Sequence, residues 1–154
     1  MPKSEPTIQK FMTTQPQSIE SKDKLEKAKD VMAKYGIRHL PVMREGEVIG
    51  MLSDREINLA YGLEGVEPTS LLVVDACSGH PYIVEPDEPL RLAAQEMANK
   101  HHGSAVVMQN GKLVGIFTTV DACRALSWII EENIKELNLK TLNYIRHSVD
   151  RRGE

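Results

Sequence analysis

Apolar residues recur along this chain with helical and extended periods in alternation. Leu25, Ala28, Met32 and Tyr35 follow one another at three-to-four-residue spacing, as do Leu90, Ala93, Ala94 and Met97. That spacing predicts two amphipathic helices, each with one face in a core, and Pro89 suits a first helical turn. A short extended piece (16–19; 81–84) and a polar cap region (21–23; 86–88) precede each helix. Each is followed by two apolar runs, 37–43 with 48–52 and 105–108 with 113–117. The turns between them, Glu45-Gly46 and Asn110-Gly111, predict hairpins, Asn-Gly most strongly. A second helix is expected to start near Ser53 in one copy and Thr118 in the other. Each unit thus reads strand, helix, strand, strand, helix, with 62–70 as the linker. After Leu126 a third element is expected, because Ile130, Ile134, Leu137, Thr141 and Tyr144 alternate at four and three. This stripe is predicted to pack on its own module or on a dimer mate rather than on lipid or in a calmodulin-type groove. Arg146, Arg151 and Arg152 at its end are expected to be solvated.

The two units are copies in one register. An offset of 65 (16 to 81) carries Pro16 onto Pro81, Glu20 onto Glu85, Leu25 onto Leu90, Ala28 onto Ala93 and Met32 onto Met97. Without a gap it also carries Val42 onto Val107, Met43 onto Met108, Gly46 onto Gly111 and Gly50 onto Gly115. Two copies are too few for an open solenoid, so they are expected to close a shared core about a pseudo-twofold axis.

Each copy ends on glycine, two apolar residues, Ser or Thr, and an acid three residues on: Gly50-Met51-Leu52-Ser53-Asp54-Arg55-Glu56 and Gly115-Ile116-Phe117-Thr118-Thr119-Val120-Asp121. With the strand text IRHLPVM and the in-register duplication, residues 11–57 and 76–122, about two-thirds of the chain, resemble the CBS repeat. The resemblance implies an α+β fold: a tandem pair of CBS repeats packed about a pseudo-twofold axis, followed by a C-terminal helix. The expected divisions are 1–65 (first repeat with an N-terminal segment), 66–126 (second repeat) and 127–154 (helical extension), in one compact module. It further implies a regulatory module that binds AMP, ADP, ATP or S-adenosylmethionine in clefts between repeats, forms a homodimer and signals to an effector protein.

The residues suit such a ligand. A carboxylate one turn into a helix, such as Asp121, can accept both cis hydroxyls of a ribose, and Thr118 at the helix start can serve ribose or phosphate oxygens. The same Thr-x-x-Asp spacing also caps a helix. In the first copy Glu56 replaces the aspartate that the family pattern leads one to expect, and Ser53-x-x-Glu56 is itself a capping box. By resemblance each cleft borrows from both repeats. The Asp121 cleft is expected to receive Thr14, Ile19 and the backbone around Arg38 and His39, with Ile19 and Leu40 covering an adenine face. Pro41 removes a ladder donor there, as an edge-strand proline does. The other cleft is expected to use Gly79, Val84, Gly103 and Ser104, with the Arg38-His39 pair on its phosphate side. The Asp121 cleft is the better furnished for ribose.

Composition narrows the function classes. The 154 residues are 41% hydrophobic and 27% charged with a net charge of -3, and no apolar run approaches the roughly 18 residues that cross a bilayer. Neither nucleic acid nor membrane is expected as a partner. The N-terminus, Met1-Pro2-Lys3 onward, shows no positive flank with an apolar stretch, so a cytoplasmic protein is expected. Five histidines include the adjacent His101 and His102, which on a helix could not face one ligand, while His39, His80 and His147 are scattered. No metal site is expected. No nucleophile elbow, Walker loop, dinucleotide fingerprint or HExxH occurs, so no catalytic residue and no enzyme activity is expected. Two alternatives stay open: a ligand-free interaction and dimerisation module, and a redox sensor using Cys77 or Cys123.

Overall fold

The computed structural model describes residues 4–63 and 65–151. Met1 to Lys3, Glu64 in the linker and Arg152 lie outside the described residues. The first repeat contains β1 (Thr13–Thr14), β2 (Ile19–Glu20), α1 (Leu25–Tyr35), β3 (His39–Arg44), β4 (Glu47–Ser53) and α2 (Asp54–Tyr61). After a 3-10 turn at Pro68–Ser70 come α3 (Val73–Ala76), β5 (Ile83–Val84), α4 (Leu90–Lys100), β6 (Ser104–Gln109), β7 (Lys112–Thr118) and α5 (Thr119–Asp150). The expected order of elements in each copy is present, and the mixed α+β fold with paired repeats is the one observed.

Leu25, Ala28 and Met32 are the buried positions of α1, and Leu90, Ala93 and Met97 those of α4. Both helices therefore bury most of the stripe that their spacing predicts, but Tyr35, expected on it, is 48% exposed at the end of α1, and Ala94 is half-buried. In the first repeat that stripe meets Ile19, Leu40, Val42, Leu52 and Ile57 in one cluster. The hairpins turn on Glu45-Gly46 and Asn110-Gly111, all four residues with positive φ, which gives the twist that two-residue hairpins need. Each hairpin also carries a bulge at the same place, between Val42 and Met43 and between Val107 and Met108.

The segments leading into each repeat are exchanged. β1 pairs antiparallel with β7, Thr13 opposite Ile116, and completes the four-stranded sheet β1-β7-β6-β5. Ser78, which leads into the second repeat, bridges Met51 on β4 instead, with Met51 N–H donating to Ser78 O at 3.0 Å and Ser78 N–H returning to Met51 O at 2.9 Å. The offset of the sequence repeat carries one pair onto the other. Nearby bonds obey it too: Leu90 N–H donates to Pro6 O as Leu25 N–H does to Leu71 O, and Ile8 N–H to Glu88 O as Val73 N–H does to Asp23 O. Each repeat is thus finished by a segment that precedes the other. Met51, Val106 and Ile116 form a further buried cluster drawing on both repeats.

One element differs from expectation. The stripe beyond Leu126 is not a separate helix but the continuation of α5, 32 residues long and unbroken from Thr119. No glycine or proline falls between Thr119 and Asp150, so nothing local ends the helix. The chain divides into two compact units at the Thr118–Thr119 bond. Among the described residues no helix is long and apolar enough to cross a membrane.

Candidate functional site

A cleft of about 490 Å³ opens between the two repeats. The first repeat supplies His39 at the start of β3, Met51 and Ser53 from β4, and Asp54, Arg55, Glu56 and Leu59 from α2. Opposite stand Ser78, His80, Pro81 and Tyr82 from the segment before β5, and His101, His102, Gly103 and Ser104 at the α4–β6 junction.

Its acidic corner is held by a helix cap. Glu56 N–H donates to Ser53 Oγ at 3.3 Å, and Ser53 N–H donates to Glu56 Oε2 at 2.7 Å, the reciprocal capping box that Ser53-x-x-Glu56 predicts. The Ser53 hydroxyl donates to the same oxygen at 3.2 Å. Glu56 Oε1 takes part in none of these bonds, so the carboxylate is fixed by one oxygen while the other keeps acceptor capacity.

The opposite wall is built of imidazoles. His101 is the C-cap of α4 with φ 56, and its N–H donates to Met97 O; His102 N–H donates to the same carbonyl at 2.9 Å. Because His101 has left the helix, it and His102 both line the cleft, although helical neighbours could not. The His102 ring stacks on Tyr82 with centroids 5.3 Å apart and planes at 10°. Burial, then the Glu88 and Glu96 carboxylates, push the Tyr82 phenol above its usual range, so it stays a neutral hydroxyl. His39 is pushed below the ordinary imidazole value of 6.5, chiefly by burial; nearby Asp54 opposes this and Arg38 adds to it. Gly103 is small for a reason: a Cβ there would lie 3.0 Å from His39 Nε2.

Of the expected site residues, Ser53, Glu56, Gly103, Ser104 and His39 share this cleft. Gly79, Val84 and Arg38 do not line it. Val84 is buried on β5, and Arg38 is exposed, its Nε 3.9 Å from Asp54 Oδ2. Arg38 sits in a bend immediately before β3, and its charge acts on the His39 ring, helping to lower its titration. Thr14 lies in β1 opposite Gly115. Ile19 and Leu40 are core residues, 3% and 0% exposed. Pro41 is buried in β3, the central strand of β2-β3-β4, not an edge strand. It is tolerated because β2 reaches only Val42 and Met43, so no ladder bond is asked of Pro41 on that side. Thr118 ends β7. Asp121, 3% exposed, sits in the first turn of α5, where Arg124 Nη1 donates to its Oδ1 at 3.2 Å.

His80, His101, His102 and Tyr82 were not expected at the site. The repeat register held the signal for His101, since it aligns with Gly36, the C-cap of α1 with φ 63. A glycine at one copy's helix end marks the other copy's residue as outside the helix.

Among the described residues no three His, Cys, Asp or Glu side chains gather in a way that could hold a metal ion. Burial, then the Glu56 carboxylate, raise the Cys77 thiol above its usual value, which lowers its thiolate fraction and works against redox reactivity there.

The chain is thus a duplicated α+β unit with a polar cleft between its two repeats. The CBS domain family profile matches residues 8–62 and 73–127, and the chain belongs to that family. It is 29% identical over 119 residues to the CBS domain-containing protein YhcV of Bacillus subtilis, covering 75% of this chain and 81% of that one. The fold is similar to the CBS domain pair of protein MJ0100 in complex with 5'-methylthioadenosine and S-adenosyl-L-methionine, with TM-score 0.73, 20% identity, and 80% and 97% of the two chains covered. It is likewise similar to CBSX2 in complex with AMP, with TM-score 0.71, 22% identity and coverage of 80% and 97%.

Proposed function

We propose that this chain is a cytoplasmic regulatory module that takes an adenosine-containing ligand into the cleft between Glu56 and His102 and passes its occupancy to an effector protein. The observation that carries the reading is the pairing of a helix-capping carboxylate with a free oxygen, suited to ribose hydroxyls, with an aromatic and imidazole wall across the same cleft, suited to a base or a phosphate. Relatives of the same fold crystallised with AMP or S-adenosyl-L-methionine support the ligand class. Occupancy alters the output only if the ligand binds one arrangement of the module more tightly than another, and about 1–3 kcal/mol of difference suffices for useful control.

Thermal unfolding with AMP, ADP, ATP and S-adenosylmethionine tests this. A ligand at a hundred times its dissociation constant adds about 2.7 kcal/mol, a rise of about 5–10 °C for a chain of this size. No shift with any of the four overturns the reading and leaves a ligand-free interaction module. Asp121 as a ribose grip is a separate proposal, checked by calorimetry on Asp121→Ala. A loss of about 1.5–3 kcal/mol of binding supports it, and unchanged affinity removes it.

A further inference from the structure

The second half of the chain's longest helix has no visible use for its apolar surface. Ile130 is 49% exposed, Leu142 64% and Tyr144 75%, and Ile134, Leu137, Ile145 and Val149 are exposed as well. At 100° per residue these positions fall on one side of α5, where Ile130, Ile134, Leu137, Thr141, Tyr144 and Ser148 hold the 4-3 spacing of a two-helix seam and Leu142, Ile145 and Val149 widen it along one flank. An apolar helix face of this width is normally covered.

Charge says by what. Between residues 127 and 138 the helix carries Glu131, Glu132 and Glu136 against one lysine, Lys135; between 139 and 151 it carries Lys140, Arg146 and Arg151 against one aspartate, Asp150. A parallel pair of such helices sets acid beside acid and base beside base. An antiparallel pair sets each acidic half beside a basic half and also opposes the two helix dipoles favourably. We propose that α5 is a self-association surface on which a second copy of this chain lays its own α5 antiparallel, with Leu137 facing Thr141 and Ile134 facing Tyr144 of the other copy. The 4-3 spacing closes on itself in that register, since Ile130 then meets Ser148. The inference is independent of the ligand reading.

Sedimentation equilibrium of the full chain is expected to give a dimer. Leu137→Glu, at the middle of the seam, is expected to raise the dimer dissociation constant at least tenfold while the unfolding transition of the repeats is retained, and Tyr144→Lys is expected to act in the same direction. A monomer at every loading concentration, or a dimer indifferent to both substitutions, overturns the proposal. Orientation is read by oxidation in a Cys77→Ala/Cys123→Ser background. Adding Ile134→Cys with Tyr144→Cys is expected to give a covalent dimer. Ile134→Cys alone is expected to give none, because the two copies of residue 134 then lie roughly 15 Å apart along the seam, beyond disulfide reach. A covalent dimer from Ile134→Cys alone makes the pairing parallel and overturns the arrangement.

Discussion

His101 holds a left-handed backbone conformation that Gly36 holds in the other repeat, and a side chain with a Cβ takes it up at a cost of about 1–2 kcal/mol. His101→Gly is therefore expected to stabilise the fold by about 0.5–1 kcal/mol, seen as a rise in Tm, while weakening binding of AMP in the cleft. His39 makes the opposite case, for pH. Its folded-state titration is depressed by burial, so below the unfolded imidazole value of about 6.5 the unfolded chain takes up a proton that the folded chain refuses. Stability is thus full above that value and falls with pH through the folded titration. Urea midpoints compared at pH 7.5 and 5.5 are expected to show a loss that His39→Asn reduces. At this scale the sequence was legible where a residue's partner is local. Ser53 and Glu56 are three residues apart and could be paired on paper, whereas His80 and Tyr82 come beside His102 only through the pairing of β5 with β6 across the whole of α4.

Among the elements, the two glycines at the middle of β4 and β7, Gly50 and Gly115, are close-approach positions. A Cβ on Gly50 would collide with the backbone carbonyl of Ser78, and one on Gly115 would come within 2.7 Å of Met12 Sδ and 3.0 Å of Thr13 O. A thioether can rotate away and a carbonyl in a strand bridge cannot. Gly50→Ala is accordingly expected to cost more than Gly115→Ala, both within about 1–3 kcal/mol, as measured by denaturant unfolding. Hairpins and amphipathic helices were readable because their signals are periodic and continuous. β1 and the Ser78 bridge were not, since a strand of one or two exposed residues carries no alternation and its partner lies far along the chain. The stripe beyond Leu126 was not legible as part of α5 for the converse reason: a register that stops at the copy boundary suggests a new element, but helix formation needs only the absence of a breaker.

For the molecule as a whole, the cleft's side-chain charge comes from one repeat: Asp54 and Glu56 against Arg55. Two carboxylates against one guanidinium suit a sulfonium better than a phosphate. The expected outcome in calorimetry is that S-adenosylmethionine binds more tightly than AMP and that Glu56→Gln narrows the difference. An AMP affinity that exceeds that of S-adenosylmethionine would place the phosphate away from these carboxylates.

The exchange of leading segments has a consequence for how such a chain could arise. A first repeat expressed alone would present β4 without the Ser78 strand that borders it, and its own segment through Thr14 without β7 to receive it. Two such fragments have what each lacks, so association would satisfy both edges, but only as often as they meet. Joining the copies through residues 62–70 replaces that concentration dependence with a tether, and the pairing becomes a property of every single chain however dilute.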